Sequence, residues 1–309
     1  MRQGEAAPKG AWTGAAVGGV KAPEPLILPD PAARFARTAA RLAKLADGHP
    51  MEGWLTFMAE VSEAQRVVAE ALPHCAGPDE AQVQVAVEAR IPPIAADGWR
   101  RHPVWQESLR ALLDRFDPAL LPPAAASVIA DLRRRDSGAT EALADSFLRG
   151  RVDADDAGAA FWIAAALQVY FTRLAAGLRA DSLRLLEQRG LCPCCGSTPS
   201  AAVIRASGQT PGARYLHCSL CSTAWNHPRA VCITCGDSRT LALRGIDGDS
   251  GTVRAETCEE CHTYAKVLYE AKDTGVDPYA DDLASLALDL MVSEAGWSRH
   301  APNPLLLMG

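Results

Sequence analysis

The sequence predicts a multidomain α+β protein in which an all-helical N-terminal domain precedes two tandem four-cysteine modules and a C-terminal helix. Three observations carry that prediction. Apolar residues recur at three- and four-residue steps from residue 31 to about residue 189, the period of one helix face. At Gly190 the composition changes: Cys, Ser, Thr and Gly replace the Ala/Leu pattern and short strand-like runs begin. Nine of the ten cysteines then fall between Cys192 and Cys261. At 309 residues, 48% hydrophobic and 22% charged, the chain is long enough for about two domains of roughly 150 residues and apolar enough to bury a core.

Residues 1–30, rich in Gly, Ala and Pro, read as a flexible lead-in. Asp30-Pro31 then offers a cap followed by proline at the first helical position. In the helical domain (31–189), Phe35, Ala39, Leu42 and Leu45–Ala46 lie on one stripe. Trp54, Met58, Val61, Gln65, Val68 and Leu72 form a second, and Trp105, Leu109, Leu112 and Phe116 a third. Further helices are expected over about 119–135, 139–149, 156–178 and 181–189. The 156–178 segment is apolar almost all round, as a central bundle helix would be, and Gln168, Thr172 and Arg173 interrupt it, which argues against a membrane span. Turns at Gly48-His49-Pro50, Pro92-Pro93 and Pro122-Pro123 separate the segments. This half contains no HExxH, no GxSxG and no phosphate-cradling glycine loop after a strand.

Past Gly190, AAVIRAS, RYLHC, LALRGI and TVRAETC read as strands, and four C-x2-C pairs stand in order: Cys192/Cys195, Cys218/Cys221, Cys232/Cys235 and Cys258/Cys261. A shift of 40 positions maps the first four of these cysteines onto the last four and Gly196 onto Gly236, the mark of an internal duplication. The favoured arrangement has one metal per copy, with modules over 190–229 and 230–270; an interleaved pairing would lose the symmetry. A C-x2-C turn brings two thiolates to one ion at about 2.3 Å, and its backbone N–H groups can bond the sulfurs. Gly196 and Gly236 supply the positive φ that closes each first knuckle. With no export signal in the N-terminal segment, reduced cysteines and metal ligation are favoured over disulfides. Four sulfurs accommodate zinc or iron; zinc is the base-rate choice and a rubredoxin-like single iron the competing one.

The remaining candidates have plainer readings. Cys194 is read as a non-ligand filler rather than a reactive thiol, and Cys75 as inert. His217, His227 and His262 flank the cysteines but are surplus to eight thiolates, and Trp225 is expected to pack on the ribbon. Asp281-Asp282, just after Pro278, suits a helix start complementing the dipole better than a catalytic dyad. After residue 270 Leu283, Leu286 and Leu290, with Ala287 and Met291, predict one closing helix within the 271–309 tail. No catalytic constellation emerges, and the chain is read as a non-enzyme. Net charge is −6, and residues 191–268 hold seven basic and six acidic residues, a balance that two metal(II) tetrathiolates would take to about −3; the sign is wrong for a phosphate backbone.

RYLHCSLCSTAW (214–225), AETCEECHTYAKVLYEAKD (255–273), DPYADDLASLALDL (277–290), the NPLLLMG close and the opening DPAARFARTAARLAKLADGHP resemble the formate dehydrogenase accessory protein family, FdhE, over roughly residues 26–309. The sequence departs from the family's Trp-His junction at Asn226, which stands between Trp225 and His227. The resemblance implies a helical domain plus two rubredoxin-like modules. It implies a cytoplasmic factor required for active respiratory formate dehydrogenase, binding that enzyme's catalytic subunit before export. Cys192, Cys195, Cys218, Cys221, Cys232, Cys235, Cys258 and Cys261 carry over as ligands of two metal ions, iron of the rubredoxin type or zinc; Cys194 and Cys75 do not. Neither nucleic acid nor membrane insertion is expected, homodimerisation stays open, and the alternative reading is a redox or oxygen-sensing protein using iron held by four thiolates.

Overall fold

The computed structural model describes residues 22–306 apart from His74, so most of the expected lead-in and the last three residues of the NPLLLMG close lie outside the described residues. Helix α1 (Pro31–Ala46) starts as the sequence predicts, with the Asp30 carboxylate accepting from Ala33 N at 3.1 Å and proline in the first turn. Its stripe of Phe35, Ala39, Leu42 and Ala46 is buried against α2 (Glu52–Ala71), which contributes Leu55, Met58, Val61 and Val68. Next come α3 (Glu80–Glu88), α4 (Val104–Leu113), α5 (Pro123–Arg134) and α6 (Ser137–Leu148). They surround α7 (Ala157–Ala176), of which 15 residues are buried. By length and composition the region Ala154–Ala176 could cross a membrane, yet 83% of its apolar window is buried inside the fold. Trp54, Phe57, Phe116, Phe161 and Trp162 pack ring to ring, with centroids 4.8 to 6.5 Å apart.

Four expectations need correction. The sequence pattern missed α3, although its start is a capping box in which Asp79 and Gln82 each bond the other's backbone N–H. Residues 181–189 form no helix beyond a single turn over Ala180–Ser182. The Arg184 guanidinium bonds the carbonyls of Asp181 and Leu183, and Gly190 packs so closely that a Cβ there would meet the Ile233 carbonyl at 2.4 Å. Beyond Ser182 the segment is irregular, bending at Glu187 and Gln188 and turning at Arg189 and Gly190, as it joins the helical layer to the sheet. Leu26–Ile27, placed in the lead-in, is instead strand β1, with Leu26 buried. The single closing helix is two short ones, α8 (Ala280–Ala284) and α9 (Leu286–Glu294). In α9 Leu288 and Val292 are buried against the sheet, while the predicted Leu290 and Met291 face solvent.

The cysteine-rich half builds one mixed sheet rather than two separate ribbons. Its strands are β1, β2 (Pro199–Ile204), β3 (Arg214–Cys218), β4 (Ala224–Asn226), β5 (Leu241–Arg244), β6 (Val253–Cys258), β7 (Thr263–Tyr269) and β8 (Ser298–Arg299). The ladder runs β1-β4-β3-β2-β7-β6-β5, with β8 beside β7. Shifted by 40, β2, β3 and β4 overlie β5, β6 and β7, and the pair His217↔Ala224 becomes Thr257↔Tyr264. Parallel pairing of β2 with β7, Ala202 opposite Val267, fuses the copies.

Buried ion pairs tie α8 and α9 to both layers. On α1, Arg34, Thr38 and Arg41 share one face: Arg34 stacks between Phe35 and Tyr279, Thr38 donates to Asp277 at 3.0 Å, and Arg41 grips Asp281 through two nitrogens at 2.9 and 2.6 Å. Asp282, wholly buried, contacts Lys266 at 3.2 Å, Asn303 at 2.6 Å and Arg299. The Asp281-Asp282 pair thus does more than complement a dipole. Burial alone would raise the Asp282 carboxyl, but Lys266 and Arg299 hold it below the usual carboxylate range. Replacing it by alanine removes one of the two carboxylates that Lys266 and Arg299 share, leaving them Asp289 alone, so Asp282→Ala should lose about 3 kcal/mol in urea unfolding, and Asp282→Asn less. A loss under about 1 kcal/mol for the alanine variant would contradict this account.

Candidate metal centre

The eight paired cysteines gather into two groups: Cys192, Cys195, Cys218 and Cys221, and Cys232, Cys235, Cys258 and Cys261. Within each group the four sulfurs lie within 4.8 Å of one another, and each group draws on one copy of the duplication. Cys192–Cys221 and Cys195–Cys218 are 3.4 Å apart, Cys232–Cys261 and Cys235–Cys258 3.7 Å. Sulfurs at the corners of a tetrahedron about 2.3 Å from a central ion would stand about 3.8 Å apart, so the second group has that size and the first is slightly tighter.

Each first knuckle closes through Gly196 N→Cys192 O at 2.9 Å and Gly236 N→Cys232 O at 3.0 Å, with φ of 77° and 78° at the two glycines. The second knuckles use the left-handed region without glycine, at Ser222 (60°) and His262 (51°), again 40 positions apart. His262 is an exposed turn residue. Backbone N–H groups of Leu220 and Cys221 reach Cys218 Sγ at 3.4 and 3.3 Å. Thr223 and Thr263 place hydroxyls 3.2 and 3.1 Å from Cys221 and Cys261 Sγ. Against a thiolate each hydroxyl must donate, which offsets part of the cost of burying negative sulfur. Sequence reading missed these two threonines, although 223 and 263 also obey the 40-residue shift.

The two groups differ in surroundings. All four cysteines of the first are buried, whereas Cys235 is exposed and Cys261 half-buried. Gln168 and Thr172 of α7 donate to the carbonyls of Ser219 and Leu220, and Tyr279 donates to Cys218 O at 3.1 Å. Between α3 and α4, Ile94 N and Ala96 N donate to the carbonyls of Cys194 and Cys195. The helical domain thus takes up the polar backbone of the first knuckles and shuts out water. In that dry setting burial pushes the Cys192 and Cys218 thiols far above their ordinary value, while neighbouring sulfurs pull Cys221 down against the same burial. Four such thiols ionise together only around a cation. In the open group burial is weaker, and the backbone N–H groups of Cys261 and Glu260 bring Cys258 down to about 7. The donor sets suit a tetrahedral thiophilic ion at both positions.

The remaining predicted residues fall outside both groups. Cys194 is buried beside the first at the position Thr234 holds in the second copy, and Cys75 joins neither. Trp225 packs in the core and donates to Arg189 O at 2.9 Å, as expected. Burial and nearby Arg205 and Arg37 lower His217 to about 3; burial and Arg214 lower His227 to about 4, and its Nδ1 lies 3.0 Å from Pro228 O. Thr234 links Thr263 at 2.8 Å to His300 at 2.7 Å. Chelator-stripped, reduced protein should therefore react with a thiol reagent at Cys235 and Cys261 in minutes, and at Cys192, Cys194, Cys195, Cys218 and Cys221 only on unfolding. Mass-mapped alkylation checks this order, and equal labelling of both groups would refute the difference in burial.

Comparison with known proteins supplies the context. Family models described as "FdhE, N-terminal", "FdhE, central domain" and "FdhE, C-terminal domain" match residues 23–187, 191–229 and 231–306. A "Protein FdhE homolog" of Edwardsiella ictaluri is 38% identical over 288 residues, covering 92% of each chain. One from Pseudomonas aeruginosa is 38% identical over 280 residues, 89% of this chain and 90% of its own. The crystal structure of the FdhE protein from Pseudomonas aeruginosa superposes with a TM-score of 0.84 at 36% identity, covering 92% of this chain and 99% of that one.

Proposed function

This chain belongs to the FdhE family, and we propose that it is a non-enzymatic accessory factor of formate dehydrogenase that binds the immature catalytic subunit in the cytoplasm. Two metal ions, iron or zinc, held by the eight cysteines, stabilise the surface it presents. The observation that carries this reading is the pair of tetrathiolate groups built with four protein donors each. Four protein ligands leave no position for a substrate, so their contribution is to folding and shape. The first group sits where helices and sheet meet, so its metal would hold the helical domain against the sheet.

One observation favours a second reading. Cys235 is exposed, which would let an iron at the second group exchange electrons with a partner through its sulfur. Zinc has no accessible redox step, so metal identity separates the two readings. Protein purified anaerobically from its native host with one-electron-reducible iron at the second group supports the redox reading; colourless protein with two zinc ions excludes it.

For the accessory role, tagged wild-type protein should retain the formate dehydrogenase catalytic subunit of the same host, and Cys218→Ser/Cys221→Ser should not. Retention by both would break the link between metal and partner; retention by neither would overturn the accessory reading. The same variant should carry one metal instead of two. Metal binding is worth about 10 kcal/mol or more of folding free energy in small zinc domains, and the first group packs between the helices and the sheet, so losing its ion should lower the unfolding midpoint more than Cys258→Ser/Cys261→Ser does.

A further inference from the structure

β3 and β6 are not neighbours in the ladder, because β2 and β7 stand between them, yet an ion pair joins them. Arg214 Nη2 of β3 lies 2.8 Å from Glu256 Oε1 of β6, across the seam between the two copies. Beside this pair is a cavity of about 230 Å³, walled by Ile204, Leu241, Leu243 and Tyr269 and bordered by Arg229 in the link between the copies. Its lining includes residues that shortly precede Cys218, Cys232 and Cys258 in the chain but no paired cysteine, and nothing in the accessory reading uses it.

The donors there are not spent. A guanidinium carries five N–H donors and no acceptor. The Arg214 side chain is 1% exposed; Nη1 makes one long bond to Val231 O at 3.4 Å, Nη2 faces Glu256 out of hydrogen-bond alignment, and buried Nε has no partner among the described residues. A buried charged donor left unmade costs more than a neutral one, so such a group implies a missing acceptor. Arg229 is exposed and has no carboxylate within 4.0 Å among the described residues. Glu256 supplies one negative charge against these two cations, leaving one positive charge at the cavity. Tyr269 registers the same field: burial and Glu256 raise its hydroxyl, and Arg229, Arg214 and Arg254 oppose that rise.

We propose that this cavity is a binding site for a small carboxylate, whose oxygens bridge Arg214 and Arg229 while a short aliphatic chain lies along Ile204, Leu241 and Leu243. The planar guanidinium matches a carboxylate in two-point contact. A single surplus positive charge and an aliphatic wall favour a monoanion with a carbon chain over phosphate, which carries more charge and no apolar part. The volume lies just under the usual range for drug-sized ligands, as suits a molecule of a few heavy atoms.

The test titrates the full-length, as-purified protein with sodium acetate, sodium butyrate and sodium phosphate at constant ionic strength, by calorimetry. Butyrate should bind saturably and more tightly than acetate, and Arg229→Gln should weaken it at least tenfold without moving the ligand-free unfolding midpoint, since Arg229 is on the surface. Leu243→Asn should weaken butyrate more than acetate. Butyrate heats that never saturate, or equal binding by wild type and Arg229→Gln, would overturn the site. Saturable phosphate binding that displaces butyrate at equal or lower concentration would overturn the carboxylate assignment.

Discussion

Four cysteine sulfurs held within 4.8 Å of one another, away from water, form the constraint on which the rest of this structure depends. Thiols so placed resist ionising one by one, and thiolates so placed repel one another. Backbone groups around them must also find partners, because water is not there to supply them. Helix α7 donates to the Ser219 and Leu220 carbonyls, the segment before α4 donates to those of Cys194 and Cys195, and Tyr279 donates to that of Cys218. These bonds fix where the helical domain stands on the sheet. Polar Gln168 and Thr172 in an otherwise apolar helix are explained by the same need.

The duplication is close in local geometry and unequal in surroundings. Positive φ at 196 and 236, and at 222 and 262, recurs at the 40-residue shift, as do the hydroxyls of Thr223 and Thr263 beside their cysteines. Helices cover the first copy, whereas the second continues the same sheet outward through the β2–β7 pairing and leaves Cys235 exposed. Two similar sets of cysteines therefore experience different dielectric surroundings, which is enough to separate their reactivity. The seam between the copies is also charged, with Arg214 and Glu256 facing across it.

The closing segment shows how polar contacts substitute for a large apolar interface. Helix α9 buries only Leu288 and Val292. Its neighbourhood is held by Asp281 to Arg41, Asp282 to Lys266 and Arg299, and Asp289 to Lys266 and Tyr264. Ion pairs of this kind are directional, and breaking one leaves an uncompensated charge, so they define one docking geometry more sharply than aliphatic contacts would.

Much of this was legible in the residues alone. The stripes of α1, α2 and α4, the all-round apolar α7, the Asp30-Pro31 start and the change at Gly190 follow from side-chain period and capping, which act over a few residues. The eight paired cysteines and their grouping by copy were likewise readable, because a C-x2-C turn is local and a duplication repeats it. What only the tertiary structure decided is long-range. The chain is non-helical at 183–189, where Gly190 packs against Ile233, and Leu26–Ile27 is a strand because β4 has an open edge beside it. Asp281 and Asp282 are buried clamps because Arg41, Lys266 and Arg299 converge on them, and one cysteine group is sealed because α7 lies over it. Periodicity and spacing record what a segment can form by itself; burial and charge compensation depend on partners in other elements, 16 to 240 residues away, and no local pattern encodes them.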